Sequence, residues 1–192
     1  MKEARYIIRL SHQGRATPLD APTWLTEVRR LIHPLGGTAM NLRVSRQAVE
    51  FDLFCSPGME LHPLLNALEP AGAVLTYKRL DTASLALAPA EVMAEARRLF
   101  NEERYWEAHE VLEGQWKQAK GAEKQLLQGM ILTAAALVHA QKNEPAVVPP
   151  MLDDAARRLE NQPATYCGLD VRRFLRDVKK ISLLRQAHFP TI

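Results

Sequence analysis

Residues 40–53 read MNLRVSRQAVEFDL, and this stretch decides the fold that we predict for the N-terminal half of the chain. Apolar and polar residues alternate on both sides of residues 46–47, as in two half-buried strands joined by a tight turn. Folding the stretch at this turn places Arg43 opposite Glu50, which is a favourable cross-strand pair of opposite charges. The stretch is therefore predicted to form a β-hairpin.

The inner face of the hairpin is predicted from the same register. Val44 pairs with Val49, and Leu42 pairs with Phe51. The alternation of apolar and polar residues places Met40 on this face as well.

The segments on either side of the hairpin complete a βαββαβ order. Strands are predicted at 5–10 and 73–78, and helices at 20–32 and 57–68, from their apolar periods and their flanking Pro and Gly residues. This order resembles the ferredoxin-like fold. We therefore expect an α+β domain in the first eighty residues.

The charge balance argues against a nucleic-acid-binding protein. Lys and Arg total 25 and Asp and Glu total 22, a net charge of +3, whereas proteins that bind phosphate backbones show a larger or more localised excess. The outer face of the predicted sheet also lacks the stacking aromatic residues of RNA-recognition modules. Its mixed charges suit docking against another domain or a partner, which leaves an unidentified protein partner and self-association open. The face carries Arg5, Arg9, Asn41, Arg43, Glu50 and Asp52.

Cysteine usage and hydropathy indicate the cytoplasm. Cys55 and Cys167 are the only two cysteines, too few for a disulfide framework or a four-thiolate zinc site. No signal peptide is indicated, and the most apolar run, residues 129–140, is shorter than the ~20 residues that span a bilayer. We expect a cytoplasmic protein without membrane contact.

Helical periodicity replaces the strand pattern in the second half of the chain. We predict a ferredoxin-like domain at 1–80, a linker at 81–88 and an all-α helical bundle at 89–192. Roughly 100 residues are enough to bury a core of their own. The expected helices lie at about 89–100, 104–119, 122–141, 150–161 and 170–187.

Residues 99–116 read LFNEERYWEAHEVLEGQW and form the most informative stretch of the helical half. Tyr105, His109 and Trp116 fall on one helix face, and we expect this otherwise apolar face to turn inward. Glu113 lies one turn beyond His109, within side-chain reach. Buried without partners, such polar groups would cost ~1–3 kcal/mol or more each, so we expect them to be paired. The nearest additional carboxylates belong to Glu107 and Glu110.

The next predicted helix offers a counterpart to this cluster. Gln128 and His139 are eleven residues apart, so they lie on one line along the helix. Gly129 is small and is expected to let this helix approach the preceding one closely. With a short connection the two helices are expected to be antiparallel, which would bring His139 toward residues 105–109.

Together these two helices resemble the family known as domain of unknown function 309. Its signature is an FN…YxEAHExLExxW helix followed by a QG…A…H helix. The resemblance covers about residues 99–160 and implies an all-α bundle found chiefly in prokaryotes, with no established activity. The chain departs from the family after Asn143, where Glu144-Pro145 stand in place of a small Gly-Ala pair. The residues at the family's polar positions are Glu107, His109, Glu110, Glu113, Trp116, Gln128 and His139.

The polar cluster is compatible with two functions, of which only one is enzymatic. In the first, the protein is a non-catalytic binding or scaffold protein, and His109, Glu113 and His139 belong to a buried structural network. In the second, it is a metal-dependent enzyme of the hydrolase class. The same three residues would then bind zinc, iron or manganese, with Glu110 as the general base. We favour the first, without a cofactor, because buried polar groups are usually satisfied by protein partners.

A third function is nucleic-acid association through the basic amphipathic helix predicted at 170–187. Such a helix can bind nucleic acid or an anionic surface. More often its charges form a solvated face while the apolar stripe docks on the core. We therefore do not expect a nucleic-acid partner.

Overall fold

The computed structural model describes residues 3–81 and 87–184. The chain divides into two compact units. The first comprises the described residues up to 81 and residues 141–143, and the second comprises residues 87–140 and 144–184.

The N-terminal unit has the predicted βαββαβ order. Its elements are β1 (Ala4–Ser11), α1 (Ala21–Ile32), β2 (Gly37–Val44), β3 (Ala48–Cys55), α2 (Leu61–Ala67) and β4 (Val74–Arg79). The strands form one antiparallel sheet in the order β2-β3-β1-β4. The prediction of a ferredoxin-like α+β unit is confirmed.

The hairpin formed by β2 and β3 has the predicted register next to its turn. Val44 pairs with Val49, and Arg43 pairs with Glu50. Farther from the turn the register shifts by one residue, because β2 contains a β-bulge between Met40 and Arg43. Bulges place two residues opposite one and re-aim the side chains around them.

The bulge makes the prediction for Met40 wrong. Asn41 has a φ of +53° within the bulge, and Met40 pairs with Asp52 of the outer face instead of facing the core. Met40 is 44% exposed, while its neighbour Ala39 is fully buried. Simple alternation of residue types cannot reveal a bulge, since the inserted residue changes the phase of the pattern.

The first helix agrees with its prediction, whereas the second begins later than predicted. α2 starts at Leu61, four residues after Pro57. Gly58 adopts a left-handed φ of +85°, and Glu60 is extended. These two conformations keep the segment out of the helix.

The core of the N-terminal unit lies between the sheet and its two helices. Ile8, Phe51 and Leu53 of the sheet are fully buried, together with Ile32 of α1 and Leu64 of α2. All five side chains belong to one apolar cluster. The helices therefore cover the face that the alternating pattern marks as apolar.

The opposite sheet face carries a network of ion pairs centred on Asp52. Its carboxylate accepts hydrogen bonds from Arg43 at 3.1 Å, from Arg5 at 2.9 Å and from Asn41 at 2.8 Å. Arg43 also donates to Glu50 at 2.8 Å. Charges of opposite sign on neighbouring strands thus satisfy one another across this face.

This face carries one aromatic residue, Phe54, that was not predicted to lie there. Phe54 pairs with Arg5 across β3 and β1, so it belongs to the face that was expected to lack aromatic residues. The Arg5 guanidinium lies 5.7 Å from the centre of the Phe54 ring, a cation–π distance.

The C-terminal unit contains the five expected helices. They are α3 (Pro89–Asn101), α4 (Tyr105–Trp116), α5 (Gly121–Gln141), α6 (Val148–Leu159) and α7 (Val171–Leu184). Residues 185–187 of the last predicted helix and residues 82–86 of the predicted linker lie outside the described residues. Within the described ranges, no helix is both long enough and apolar enough to cross a membrane.

A short hairpin that the sequence analysis does not predict precedes α7. It joins β5 (Thr165–Tyr166) to β6 (Leu169–Asp170). Cys167 and Gly168 form its two-residue loop, with φ angles of +44° and +78°. Positive φ at both loop residues is typical of tight hairpin turns. From the sequence, Gly168 indicates only a break between helices. The hairpin is not predicted, because strands of two residues are too short to show an alternation of apolar and polar residues.

The packing of Gly129 also differs from the prediction. A Cβ atom at this position would lie 2.8 Å from Leu159 and 3.1 Å from the carbonyl oxygen of Ala155, both on α6. The atoms nearest to this position therefore belong to α6, whereas the sequence predicts that the small residue lets α5 approach α4.

We predict that Gly129→Ala destabilises the protein, with Gly114→Ala as its matched control. The added methyl group in α5 would push against α6, and overpacking of this kind costs about 1–3 kcal/mol. A Cβ at Gly114 of α4 has nothing within 4 Å, so the same change there should stabilise the helix by about 0.5–1 kcal/mol. Urea unfolding of both variants measures the difference. Equal effects at the two positions would contradict the close packing of α5 on α6.

Candidate functional site

The polar motif begins at the corner between α3 and α4. The chain turns at Glu103, whose φ of +57° lies in the left-handed region. The Glu103 N–H donates to the carbonyl of Phe100 at 3.0 Å, and the next N–H donates to the carbonyl of Leu99 at 2.9 Å. These bonds satisfy carbonyl groups at the end of α3. The corner thereby determines where α4 begins.

Tyr105, the first residue of α4, belongs to the core. It is fully buried, and its ring meets Phe100 edge-on at a centroid distance of 5.6 Å. Phe100 in turn meets Phe174 of α7 edge-on at 6.0 Å. Edge-to-face contacts are a favourable geometry for aromatic rings. This aromatic chain joins three helices of the unit.

Glu107 is the buried carboxylate of the motif. Its residue is 4% exposed, and its two oxygens accept hydrogen bonds from Nε of Arg104 at 2.6 Å and from Nη2 at 2.8 Å. A bidentate guanidinium–carboxylate pair is among the stronger side-chain interactions. Sequence reasoning did not single out Arg104, although its position three residues before Glu107 is a helix-pair spacing.

The Arg104–Glu107 pair continues into a chain of alternating charges along the corner. Arg104 also binds Glu102 at 3.0 Å, and Glu102 binds Arg98 at 2.6 Å. Arg98 then pairs with Glu95 at 2.7 Å. Partial burial opposes ionisation of Glu102, but hydrogen bonds from Arg104 and Arg98 lower its pKa below the ordinary value.

His109 is half-buried, with 27% of its side chain exposed. Its Nδ1 lies 3.4 Å from Oε1 of Glu110, yet this buried nitrogen makes no hydrogen bond of good geometry. Glu113 pairs with Lys117 at 3.2 Å and remains 36% exposed. No hydrogen bond or ion pair joins Glu113 to His109 in the part of the chain that the structure describes.

Trp116 and Gln128 contribute differently to the unit. Trp116 packs against the apolar core while remaining partly exposed, and Nζ of Lys124 lies 4.4 Å from the centre of its ring. This cation–π contact bridges the end of α4 and the start of α5. Gln128 is half-buried within α5.

His139 lies near the end of α5 and has a local partner. The chain turns after the helix at Asn143, whose φ is +61°, and the Glu144 N–H donates to the His139 carbonyl at 2.9 Å. The same turn brings the Glu144 carboxylate into a short contact with Nδ1 of His139. The residue at which the chain departs from the family pattern thus pairs with one of the predicted site residues.

Among the described residues, His109, Glu113 and His139 form neither a metal site nor the single buried network that was also predicted. No group of three or more His, Cys, Asp and Glu side chains in the described ranges is arranged to hold a metal ion. His109, Glu113 and His139 contact Glu110, Lys117 and Glu144, respectively. Residue spacing predicts which residues share a helix, but it does not predict which charged neighbour each side chain contacts.

A further polar contact secures the β5–β6 hairpin. The Tyr166 hydroxyl donates to Oε1 of Glu123, at the start of α5, at 2.5 Å. Burial, together with this hydrogen bond to a carboxylate, raises the pKa of Tyr166 above its ordinary value. Sequence reasoning missed this contact along with the hairpin that carries it.

Comparison with known families identifies the C-terminal unit. Residues 93–148 match the family described as Domain of unknown function (DUF309). The chain therefore belongs to this family through its C-terminal unit, and the resemblance expected from the motif is confirmed.

One solved structure similar to this chain is that of the conserved hypothetical protein TTHA0068 from Thermus thermophilus. The two sequences are 41% identical over 46% of this chain and 92% of that chain, with a TM-score of 0.42. Comparison with curated proteins gives no match.

We predict strong energetic coupling between Arg104 and Glu107. Replacing Arg104 with Gln leaves the buried Glu107 carboxylate without its cation and should cost roughly 3 kcal/mol. Glu107→Gln should cost less, because Arg104 keeps its contact with Glu102. The coupling energy from a double-mutant cycle is expected at about 1–3 kcal/mol. The exposed pair Glu113–Lys117 at the end of α4 is the control, with an expected coupling below about 1 kcal/mol. Additive effects of the Arg104 and Glu107 substitutions would show that the pair does not stabilise the corner.

We also predict an alkaline dependence of stability through Tyr166. Because the pKa of Tyr166 is raised in the folded state, its protonated hydroxyl stabilises the fold at pH values below the unfolded-state pKa of about 10. Above that pH the unfolded chain loses the proton first, so this contribution to the free energy of unfolding falls. Tyr166→Phe should therefore lose less stability than the unsubstituted protein between pH 8 and pH 11. Urea unfolding at both pH values measures this, with Tyr77→Phe on exposed β4 as the control. Identical pH profiles for Tyr166→Phe and the unsubstituted protein would refute the role of this hydroxyl.

Proposed function

We propose that this chain is a non-catalytic binding or scaffold protein of the cytoplasm. In this role the charged residues of the family motif hold the helical unit together, and binding is carried by its surfaces. The two units would then act as a stable support for partner contacts.

The observation that supports this proposal most directly is the local pairing of Glu107, Glu113 and His139 with Arg104, Lys117 and Glu144, respectively. Glu107, the most buried of them, has both oxygens engaged by Arg104. A carboxylate held in this way is not free to bind a metal ion or to accept a substrate proton. Its arrangement is that expected of a structural group, because buried charges are normally paired.

A metal-dependent hydrolase is the alternative for the same residues. It would require His109, Glu113 and His139 to converge on one ion, with Glu110 activating a bound water. His139 and Glu113 instead engage Glu144 and Lys117. Both pairs would have to break before the three side chains could meet.

Nucleic-acid association through α7 is the other alternative, and the exposed cations of that helix favour it. No carboxylate among the described residues pairs with Arg172, Arg176 or Lys180, and all three are exposed. Acidic neighbours reduce the local field, however, since Lys179 binds Glu160 at 2.8 Å and Asp177 lies 4.0 Å from Arg173 on the same helix. We therefore rank this function below the scaffold role.

The deciding experiment is elemental analysis of untagged protein purified without a chelator, beside the variant His109→Ala. We expect no near-stoichiometric metal in either protein and a lower Tm for the variant, because a half-buried side chain is lost. His62→Ala, at an exposed position of the N-terminal unit, is the control and should leave the Tm unchanged.

Near-stoichiometric metal that disappears in a folded His109→Ala variant would overturn the proposal and establish the metal-dependent alternative. Metal that persists in His109→Ala but is lost in His139→Ala would also overturn it, with a different ligand set.

A further inference from the structure

A cavity of about 560 Å³ opens in the N-terminal unit beside β2. Its volume falls within the range of about 300–1,000 Å³ that is usual for ligand sites. One wall consists of residues of α1 and its end, and the other consists of residues of β2. The lining includes Thr26, Arg29, Arg30, His33, Thr38 and Met40.

The helical wall presents positive charge to this groove. Thr26, Arg29, Arg30 and His33 are spaced so that they share one face of the helix and its end, and all four are exposed. Arg30 is neutralised locally by Glu27, with contacts of 2.9 and 2.7 Å. No carboxylate among the described residues pairs with Arg29.

The strand wall is an open sheet edge. β2 is the terminal strand of the order β2-β3-β1-β4, so half of its backbone groups point away from the sheet. One of these outward-pointing groups is the carbonyl of Ala39, which accepts a hydrogen bond from Nε of Arg29 at 2.9 Å. In an antiparallel ladder the N–H and C=O of one residue point to the same side, so the Ala39 N–H faces the same open edge.

The bulge in β2 gives the groove an apolar contact. Met40 lines the cavity and is 44% exposed, since the register shift turns it away from the core. Methionine is a flexible apolar side chain that adapts to different ligands. The groove thus combines an apolar lining, an arginine that lacks a carboxylate partner among the described residues and the outward-facing backbone groups of an edge strand.

The geometry points to a binding site in this groove for an extended, acidic peptide segment of a partner protein, added as a strand to the edge of β2. Strand addition of this kind takes its affinity from main-chain hydrogen bonds and its specificity from side-chain pockets. The main chain of the peptide would replace Arg29 at the Ala39 carbonyl. The released guanidinium would then bind a carboxylate of the peptide.

Two features favour an acidic peptide over other occupants. The charge not matched within the groove is that of Arg29, which selects a carboxylate in a bidentate geometry. Nucleic acid would need several unpaired cations along a groove, whereas Arg30 already has Glu27. This inference adds a ligand class to the proposed binding role but does not depend on the residues assigned to the C-terminal unit.

The inference can be tested by selection from a random seven-residue peptide library displayed on phage, with the full chain immobilised. We expect enriched peptides that contain Asp or Glu next to apolar residues. A synthetic copy of an enriched peptide should bind at least tenfold more weakly to Arg29→Gln, as measured by fluorescence anisotropy. The matched control is Lys78→Gln on β4, the opposite edge of the same sheet, which should change affinity by less than twofold. Hydrogen exchange at the Ala39 amide should slow when the peptide is bound.

Several results would overturn the inference. They are the absence of enriched peptides, an enrichment of basic or uncharged peptides, equal binding by Arg29→Gln, and unchanged exchange at Ala39. Binding of a labelled single-stranded RNA that Arg29→Gln abolishes would assign the groove to nucleic acid instead. A dimer in sedimentation analysis that Arg29→Gln dissociates would assign it to a second copy of the chain. Loss of metal in His109→Ala would refute the proposed function alone and would leave these results unaffected.

Discussion

A carboxylate buried in a helical bundle needs a cation close by, and the pair between Arg104 and Glu107 meets this need in the C-terminal unit. Glu107 lies in the first turn of α4, where water cannot solvate it well. Arg104, the residue that precedes the helix, donates hydrogen bonds to both of its oxygens. The pair therefore links the start of α4 to the corner after α3. The aromatic contacts of Tyr105 at the same corner extend this arrangement to α7 through Phe100. The packing of three helices thus depends on one short segment that is both charged and aromatic.

In the described chain, the charged residues of the family motif form local pairs and do not form one shared cluster. The motif's acidic and histidine positions lie on two consecutive helices, and their side chains form separate local pairs. Glu113 turns to Lys117, and His139 turns to Glu144. Each partner lies four or five residues away, so each pair forms within one helix or at its end. Local pairing of this kind stabilises individual helices and corners. It is a reason to seek the binding function on the surfaces of the protein.

The N-terminal unit shows how a small irregularity creates a surface. The bulge in β2 moves Met40 out of the core and places it in a groove that is also lined by Arg29 of α1 and by His33, which follows that helix. On the opposite sheet face, the charges around Asp52 satisfy one another and leave few groups for an outside ligand. The open edge of β2 is consequently the part of this unit where backbone groups, positive charge and apolar area come together.

The sequence by itself determined the order of the elements, because apolar periods of two and of 3.6 residues are local properties of the chain. The pairs Val44–Val49 and Arg43–Glu50 follow from the position of one turn, and the helices of the C-terminal unit follow from their apolar stripes and from Pro and Gly. Only the tertiary structure decided the partner of each charged side chain and the helix that Gly129 contacts. It also decided the direction of Met40. These outcomes depend on competition among neighbours at distances of a few ångströms, on bulges and on helix ends. Residue spacing along the chain does not contain that information.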